Sequence, residues 1–334
     1  MKIVTIGTGY VGIVHAAVCS EYGHDVYAFD IDKEKIEAFS SGRSELIEKY
    51  VNEPGLVNIV RETLGKSLHF SDDLAAIIEG TDAIFMCLPT PSNIDGSTNL
   101  TFYDAAAESI AEVLAKRKDK RRLVLVNKST VPIGTARHLE DIMKAHGVEN
   151  FGVASNPEFL AEGTAVADAR RPDRVVVGCD GEEDFTILRR VYSQFVHHVR
   201  IKFIQTTPET AEAIKYVANT MLLTYISFWN GVGAKIGENM ANVNIDDLRL
   251  GVTSDDRIST WGSFVSNGAG GSCFGKDIAS LIYQLRRVNV STKMLEASFE
   301  ANEHQKVYLI DRAITEGGFK FNNKTVAVLG LAFK

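Results

Sequence analysis

The stretch KIVTIGTGYVG, residues 2–12, decides the fold. Lys2 to Ile6 form a short apolar run rich in β-branched residues, the pattern of a strand buried on both faces. Gly7, Gly9 and Gly12 follow in a G-x-G-x-x-G spacing, and GYVGIVHAAVCSEYG then reads as a helix closing on Gly23. In a strand–turn–helix each glycine has its own task. Gly7 makes the tight turn, Gly9 leaves the backbone bare for a pyrophosphate, and Gly12 lets helix and strand pack closely. The helix N-terminus adds amides and the positive end of its dipole. DVYAFD, residues 25–30, reads as a second strand, and Asp30 ends it 18 residues after Gly12. A carboxylate there accepts hydrogen bonds from an adenosine ribose and repels a 2′-phosphate. Asp32 adds a second negative charge and no arginine follows directly, so the expected dinucleotide is NAD, not NADP.

Outward from this start, strand and helix patterns alternate. KEKIEAFSSG reads as a short helix ending at Gly42, and DAIFMCLP, residues 82–89, as a strand. Residues 104–120 read as an amphipathic helix, RLVLVNKS, residues 122–129, as a strand, and about Thr135 to His146 as a helix. FGVASNP, DRVVVGC and VRIKFIQ read as further strands. This α/β rhythm predicts a Rossmann-type, doubly wound parallel sheet with helices on both faces, over residues 1–205. From Pro208 to Met240 apolar residues recur at three and four, which predicts one long helix, with more helices around 277–288 and 292–316. A mostly helical central domain over 206–300 follows. AIKYVANTMLLTYISFW is apolar on too many sides for one face, which predicts a homodimer through this helix, with higher oligomers open. In residues 301–334, KTVAVLGLAFK reads as a buried strand behind a linker helix, the start of a third α/β domain cut short at Lys334.

Hydrophobic residues make up 45% of the 334, enough for more than one core, and charged residues 24%. The net charge of −7 speaks against a nucleic-acid-binding surface. No apolar run reaches the roughly 18 residues of a membrane span, and the N-terminus reads as a strand, not a signal segment. The four cysteines show no C-x-x-C spacing, and the histidines form no H-x-x-x-H or Cys/His cluster, so neither disulfides nor a metal is expected. A reducing, cytoplasmic setting follows. Cys19, Cys87 and Cys179 read as small buried side chains.

Cys273 differs. It lies in NGAGGSCFGKD, residues 267–277, among glycines and charges. Glycines at that density suit a loop that comes close to a ligand. Asp277 follows four residues later. Glu158 and Glu162 in NPEFLAEG stand four apart after Pro157, a helix-start position, and Lys215 and Asn219 stand four apart on the long helix; each pair is expected on one helix face. Thr90 in CLPTP and Ser129 and Thr130 in KSTVPIGT lie at strand ends, where open parallel sheets bind ligands. A nicotinamide removes hydride, a thiol can hold a carbonyl as a hemithioacetal and then a thioester, a lysine can stabilise an oxyanion, and carboxylates can activate water. A two-electron alcohol or hydroxyacid dehydrogenase is the alternative, and it gives Cys273 no task. A non-catalytic NAD-binding module is another.

The stretches GTGYVG, EPGL, STVPIGT, NPEFLAEGTA, RPDRVVVG, KYVANT, GGSCFGKD and LGLAFK together resemble the UDP-glucose/GDP-mannose dehydrogenase family. The resemblance implies a four-electron oxidation of a nucleotide sugar at C6 with two NAD. It implies Cys273 as nucleophile, Lys215 on the oxyanion, Asn219 orienting the sugar, Asp277 and Thr130 positioning water, and Glu162 as general base with Glu158 nearby. It places Tyr10, Val11, Lys35, Thr90, Thr130, Glu162 and Lys276 with the glycines and Asp30 at the cofactor. Glu158, Phe159, Leu160, Lys215, Asn219, Gly270 and Arg257 fall at the substrate, Arg257 reaching a neighbouring subunit's substrate phosphate. Phe274 after the cysteine favours UDP-glucose. Ala269 stands where the family usually has an aromatic residue, Gly275 where it often has proline, and DRISTWG lacks the usual Gly-Pro pair.

Overall fold

The computed structural model describes residues 1–119, 121–196 and 198–329. The chain divides into two units: residues 1–91 with 98–215, and residues 92–97 with those from Tyr216 onward. The start of the long helix, up to Lys215, falls in the first unit. Glu212 accepts hydrogen bonds there from Ser155, Gly134 and Ala136.

The first unit holds one eight-stranded sheet. Its strands are β1 Lys2–Ile6, β2 Asp25–Phe29, β3 Leu68–Ser71, β4 Ala83–Met86, β5 Leu123–Asn127, β6 Phe151–Ser155, β7 Arg174–Cys179 and β8 Lys202–Thr206. Their order is β3-β2-β1-β4-β5-β6-β7-β8, and β1 to β6 are parallel. Strand order reverses between β1 and β4, the switch point at which such sheets bind ligands. Successive residues of each strand serve opposite faces. Val124 and Val126 join the core built on helix Tyr10–Glu21, while Leu123 and Leu125 join the core under helices Thr101–Ala115 and Thr135–Ala145.

The sheet is not wholly parallel, contrary to expectation. β7 runs antiparallel to β6, and β8 runs parallel to β7. A parallel return needs a crossover, usually a helix lying on the sheet. Between β6 and β7 there is only the short helix Ala165–Arg170, which packs on helix Tyr10–Glu21. The chain therefore re-enters from the edge it left. β7 meets β6 only at Ala154–Cys179 and Ser155–Gly178, so most of β7 runs past the carboxyl end of β6.

In the second unit the expected helix from Pro208 to Met240 is interrupted. Helix Pro208–Phe228 passes into a π-helical turn, Trp229–Gly233, and then into helix Ala234–Asn239. In this turn Gly233 lies against the buried Trp229 ring, and a Cβ there would lie 2.6 Å from it, so the position suits glycine. Leu223, Ile226, Ala269, Ile278 and Ile282 form a small core here, with helices Phe274–Arg287 and Lys293–Thr315 packed against each other. The strand expected from Lys324 does not form over Lys324–Leu329, where Val326, Val328 and Leu329 are exposed and have no ladder to join; residues 330–334 lie outside the described residues. Among the described residues no helix is long and apolar enough to cross a membrane.

Candidate active site

The glycine loop after β1 has the form a dinucleotide needs. Gly7 has φ +92°, and a Cβ there would lie 2.5 Å from the Cys87 carbonyl oxygen. A Cβ on Gly12 would lie 1.9 Å from the Gly7 oxygen, whereas one on Gly9 would project into open space. No side chain caps helix Tyr10–Glu21, which leaves the amides of its first turn, Tyr10 and Val11 included, facing outward. Asp30 directly follows β2 and is buried. Its Oδ2 accepts from Thr8 N and Thr8 Oγ1, both at 2.8 Å, and from Lys35 Nζ at 3.0 Å; its Oδ1 accepts from Asp32 N at 3.1 Å. Burial raises its pKa, but these hydrogen bonds outweigh burial and hold the carboxyl below its ordinary value. An open cradle, an uncapped helix and an ionised ribose partner fit NAD. Lys35, expected on the cofactor, is held by Asp30.

The loops after β4 and β5 are stitched together at the switch point. Ser129 Oγ accepts from Leu88 N at 2.7 Å, and Thr90 Oγ1 donates to the Thr130 carbonyl at 2.9 Å. After β6, Glu158 and Glu162 do not share a helix face. Glu158 Oε2 accepts from Leu160 N at 2.6 Å, and Gly163 takes φ +84°, so the segment turns and the helix starts only at Ala165. Glu158 is buried and its Oε1 accepts from Lys215 Nζ at 2.8 Å, while Glu162 is exposed. The Phe159 ring lies 3.8 Å from the Arg174 guanidinium and 5.5 Å from Lys215 Nζ.

In the second unit Asp277 has no exposed surface. Its Oδ2 accepts from Asn219 Nδ2 at 2.6 Å and its Oδ1 from Lys276 Nζ at 2.5 Å. Asp277 N also donates to the Cys273 carbonyl at 2.9 Å, which fixes Cys273 at the start of helix Phe274–Arg287. Cys273 is exposed, as is Gly270; Cys19, Cys87 and Cys179 are buried, and burial pushes their thiols up to about 12. Arg257, also exposed, folds back on Asp255, Nη2 to Oδ2 at 2.6 Å. Lys215 and Asn219, four residues apart on one helix, thus serve different carboxylates in different units. No group of three or more His, Cys, Asp and Glu among the described residues could hold a metal ion.

A model of the NAD-binding domain matches residues 1–196, and one of the central domain matches residues 209–304. The chain belongs to the UDP-glucose/GDP-mannose dehydrogenase family. It is therefore an NAD-dependent oxidoreductase of nucleotide sugars. UDP-glucose 6-dehydrogenase TuaD of Bacillus subtilis is 38% identical over 336 residues, covering 100% of this chain and 69% of that protein. A UDP-glucose 6-dehydrogenase of Pseudomonas aeruginosa is 37% identical, with 100% and 72% covered. The solved structure of a UDP-glucose dehydrogenase from Pyrobaculum islandicum superposes with a TM-score of 0.86 at 32% identity, over 95% of this chain and 71% of that one. A GDP-mannose dehydrogenase of Pseudomonas aeruginosa, at 28% identity over 95% and 71%, gives 0.70.

Several side chains at these family loops escaped the sequence reading. Glu53, in EPGL, is buried, bonds the Tyr10 hydroxyl, and accepts from Gly163 N at 2.9 Å, tying the glycine loop to the turn that carries Glu162. Burial, followed by this bond, raises the Tyr10 pKa. Lys128 is buried, donating to Asn156 Oδ1 at 2.9 Å, and burial lowers its pKa. Glu212, three residues before Lys215, caps helix Thr135–Ala145 through Gly134 N at 2.6 Å and Ala136 N at 2.9 Å; burial raises its pKa despite those bonds.

Proposed function

We propose that this chain oxidises C6 of UDP-glucose from alcohol to carboxylate in two steps, with Cys273 as covalent catalyst. The observation that carries this reading is the setting of Cys273: an exposed thiol held at a helix start by Asp277, whose carboxylate is shared by Asn219 and Lys276. A two-electron dehydrogenase has no use for a thiol so placed. Relatives named as UDP-glucose 6-dehydrogenases at 34–38% identity support the sugar.

Bound NAD supplies the hydride acceptor of each oxidation. The protein supplies the rest. The Cys273 thiolate adds to the C6 aldehyde; the S–C bond forms and the carbonyl electron pair moves to oxygen, stabilised by the Lys215 ammonium, giving a hemithioacetal. Removal of the second hydride leaves a thioester. Water positioned by Thr130 and Asp277 gives a proton to Glu162 and attacks; the C–S bond breaks, restoring the thiolate, and the carboxylic acid so formed loses its own proton to solvent to leave the carboxylate. Asn219 and Gly270, with Phe159 and Leu160, orient the sugar nucleotide, Glu158 holds Lys215, and Lys276 borders the cofactor. The reading includes a dimer, because Val217, Met221 and Phe228 leave an apolar stripe exposed on helix Pro208–Phe228, with Arg257 reaching the neighbour's substrate phosphate. A thiol that must stay reduced suits the cytoplasm.

The test is stoichiometry with mass. The protein should form two NADH per UDP-glucose and no free aldehyde. Cys273→Ser should still bind NAD, lose turnover by orders of magnitude, and accumulate an ester visible by intact mass. Near wild-type turnover in that variant would return the reaction to a two-electron oxidation.

A further inference from the structure

We propose that Asn302 is a positioning residue for Cys273, its side-chain amide standing in for a neighbouring strand and locking the glycine loop upstream of the thiol. Asn302 lies on helix Lys293–Thr315 and is 1% exposed. Its Oδ1 accepts from Ala269 N at 2.7 Å and its Nδ2 donates to the Ala269 carbonyl at 3.2 Å. One side chain thus satisfies both backbone groups of one residue, as a β-ladder partner would. Gly268, at φ +88°, brings the backbone so close that a Cβ there would lie 3.0 Å from Asn302 Oδ1. Two more buried amides act on Ser266. Asn230, in the π turn, accepts from Ser266 N at 2.7 Å, and Gln305 donates to the Ser266 carbonyl at 2.7 Å.

The loop is therefore fixed at both ends. Upstream, buried amides hold residues 266–269; downstream, Asp277 N holds the Cys273 carbonyl. Gly270, Gly271 and Ser272 lie between, all exposed. Three residues, two of them glycine, cannot fix a thiol by themselves. Misplacing a reacting atom by about 1 Å costs on the order of 100-fold in rate. Asn302 touches no reacting atom. Its effect is to keep the thiol within reach of the aldehyde before the aldehyde departs.

The proposal rests on Cys273 being the covalent catalyst, and the experiment separates the two. Asn302→Ala and Asn302→Asp are compared with wild type for NADH formed per UDP-glucose, aldehyde trapped as its oxime by hydroxylamine, and alkylation of Cys273 by iodoacetamide. The other cysteines are buried, so alkylation reports this thiol. Asn302→Ala should let the first oxidation proceed, leak trappable aldehyde, lower the NADH ratio from two toward one, and change the alkylation rate. Asn302→Asp keeps the acceptor for Ala269 N but not the donor, and should fall between Ala and wild type. If the alanine variant does not fold, leakage from Asn302→Asp against wild type decides. An NADH ratio of two with no trapped aldehyde in the folded variants would overturn the proposal. Failure of the Cys273 reading has a different mark: wild-type turnover in Cys273→Ser.

Discussion

Asp277→Asn exchanges one carboxylate oxygen for an amide nitrogen at a position without solvent exposure. The native carboxylate presents acceptors alone, one oxygen to Asn219 Nδ2 at 2.6 Å and the other to Lys276 Nζ at 2.5 Å. An asparagine offers one acceptor and one donor, so either orientation turns its NH2 toward another donor. A lost charge-assisted hydrogen bond removes about 1.5–3 kcal/mol, and a buried donor left unsatisfied adds about 1–3 kcal/mol. The expected loss is about 3–5 kcal/mol, the range found when one partner of a buried charged pair is removed. For the second unit this lowers the melting temperature by roughly 10 °C, and turnover should fall at least about 100-fold. Calorimetry and initial NADH rates read both. The decisive variant is the exchange, Asn219→Asp with Asp277→Asn, which again sets a donor against an acceptor. It should recover about 1.5–3 kcal/mol relative to the sum of the single changes. A single variant melting within about 1 °C of wild type, or strictly additive effects in the exchange, would refute the bonding described.

The protein should bind NAD at least about tenfold more tightly than NADP, a gap of about 1.4 kcal/mol. Asp30→Ser, which releases Lys35 to meet a 2′-phosphate, should close that gap in paired titrations; an unchanged ratio counts against the role given to Asp30. Sedimentation at micromolar concentration should give a dimer, and Met221→Glu with Phe228→Glu a monomer; a wild-type monomer ends the dimer reading. Burial, followed by the nearby Lys128 charge, holds the His15 imidazole well below its ordinary value. The unfolded chain therefore takes up a proton near pH 6.5 that the folded one refuses. Stability is full above that pH and declines as pH falls through it, by at most about 1.4 kcal/mol per unit. His15→Gln should flatten the slope between pH 7 and 5, measured by denaturant titration; an unaltered slope would remove His15 from the account.

What the sequence disclosed was local. The tight turn at Gly7 and the strand running up to Asp30 form as the local pattern predicts, because turn geometry and strand ends are properties of a few adjacent residues. Lys215 and Asn219 read correctly as neighbours on a helix, but nothing in a period of 3.6 tells that one meets Glu158 and the other Asp277. Glu158 and Glu162 misled for a related reason: helical spacing after a proline was the local preference, and a side-chain bond to Leu160 N with a left-handed Gly163 overrode it. The reversal of β7 was hidden because the strand pattern of DRVVVGC is the same in either direction. Glu53, Asn302 and Glu212 were invisible, since their partners are remote in the chain and a lone Glu or Asn usually faces solvent.

The reversed ribbon of β7 and β8 has a mechanical consequence. In most open sheets the lip above the carboxyl edge is made of loops, which breathe. Here Arg174 to Val177 stand above the end of β6 and are laced to Lys202 to Gln205 by main-chain hydrogen bonds. That side of the crevice is a stiff wall, and the Phe159 ring leans on it through Arg174. Amide protons of Val175 to Val177 should therefore exchange with solvent far more slowly than those of the exposed turns of the same unit.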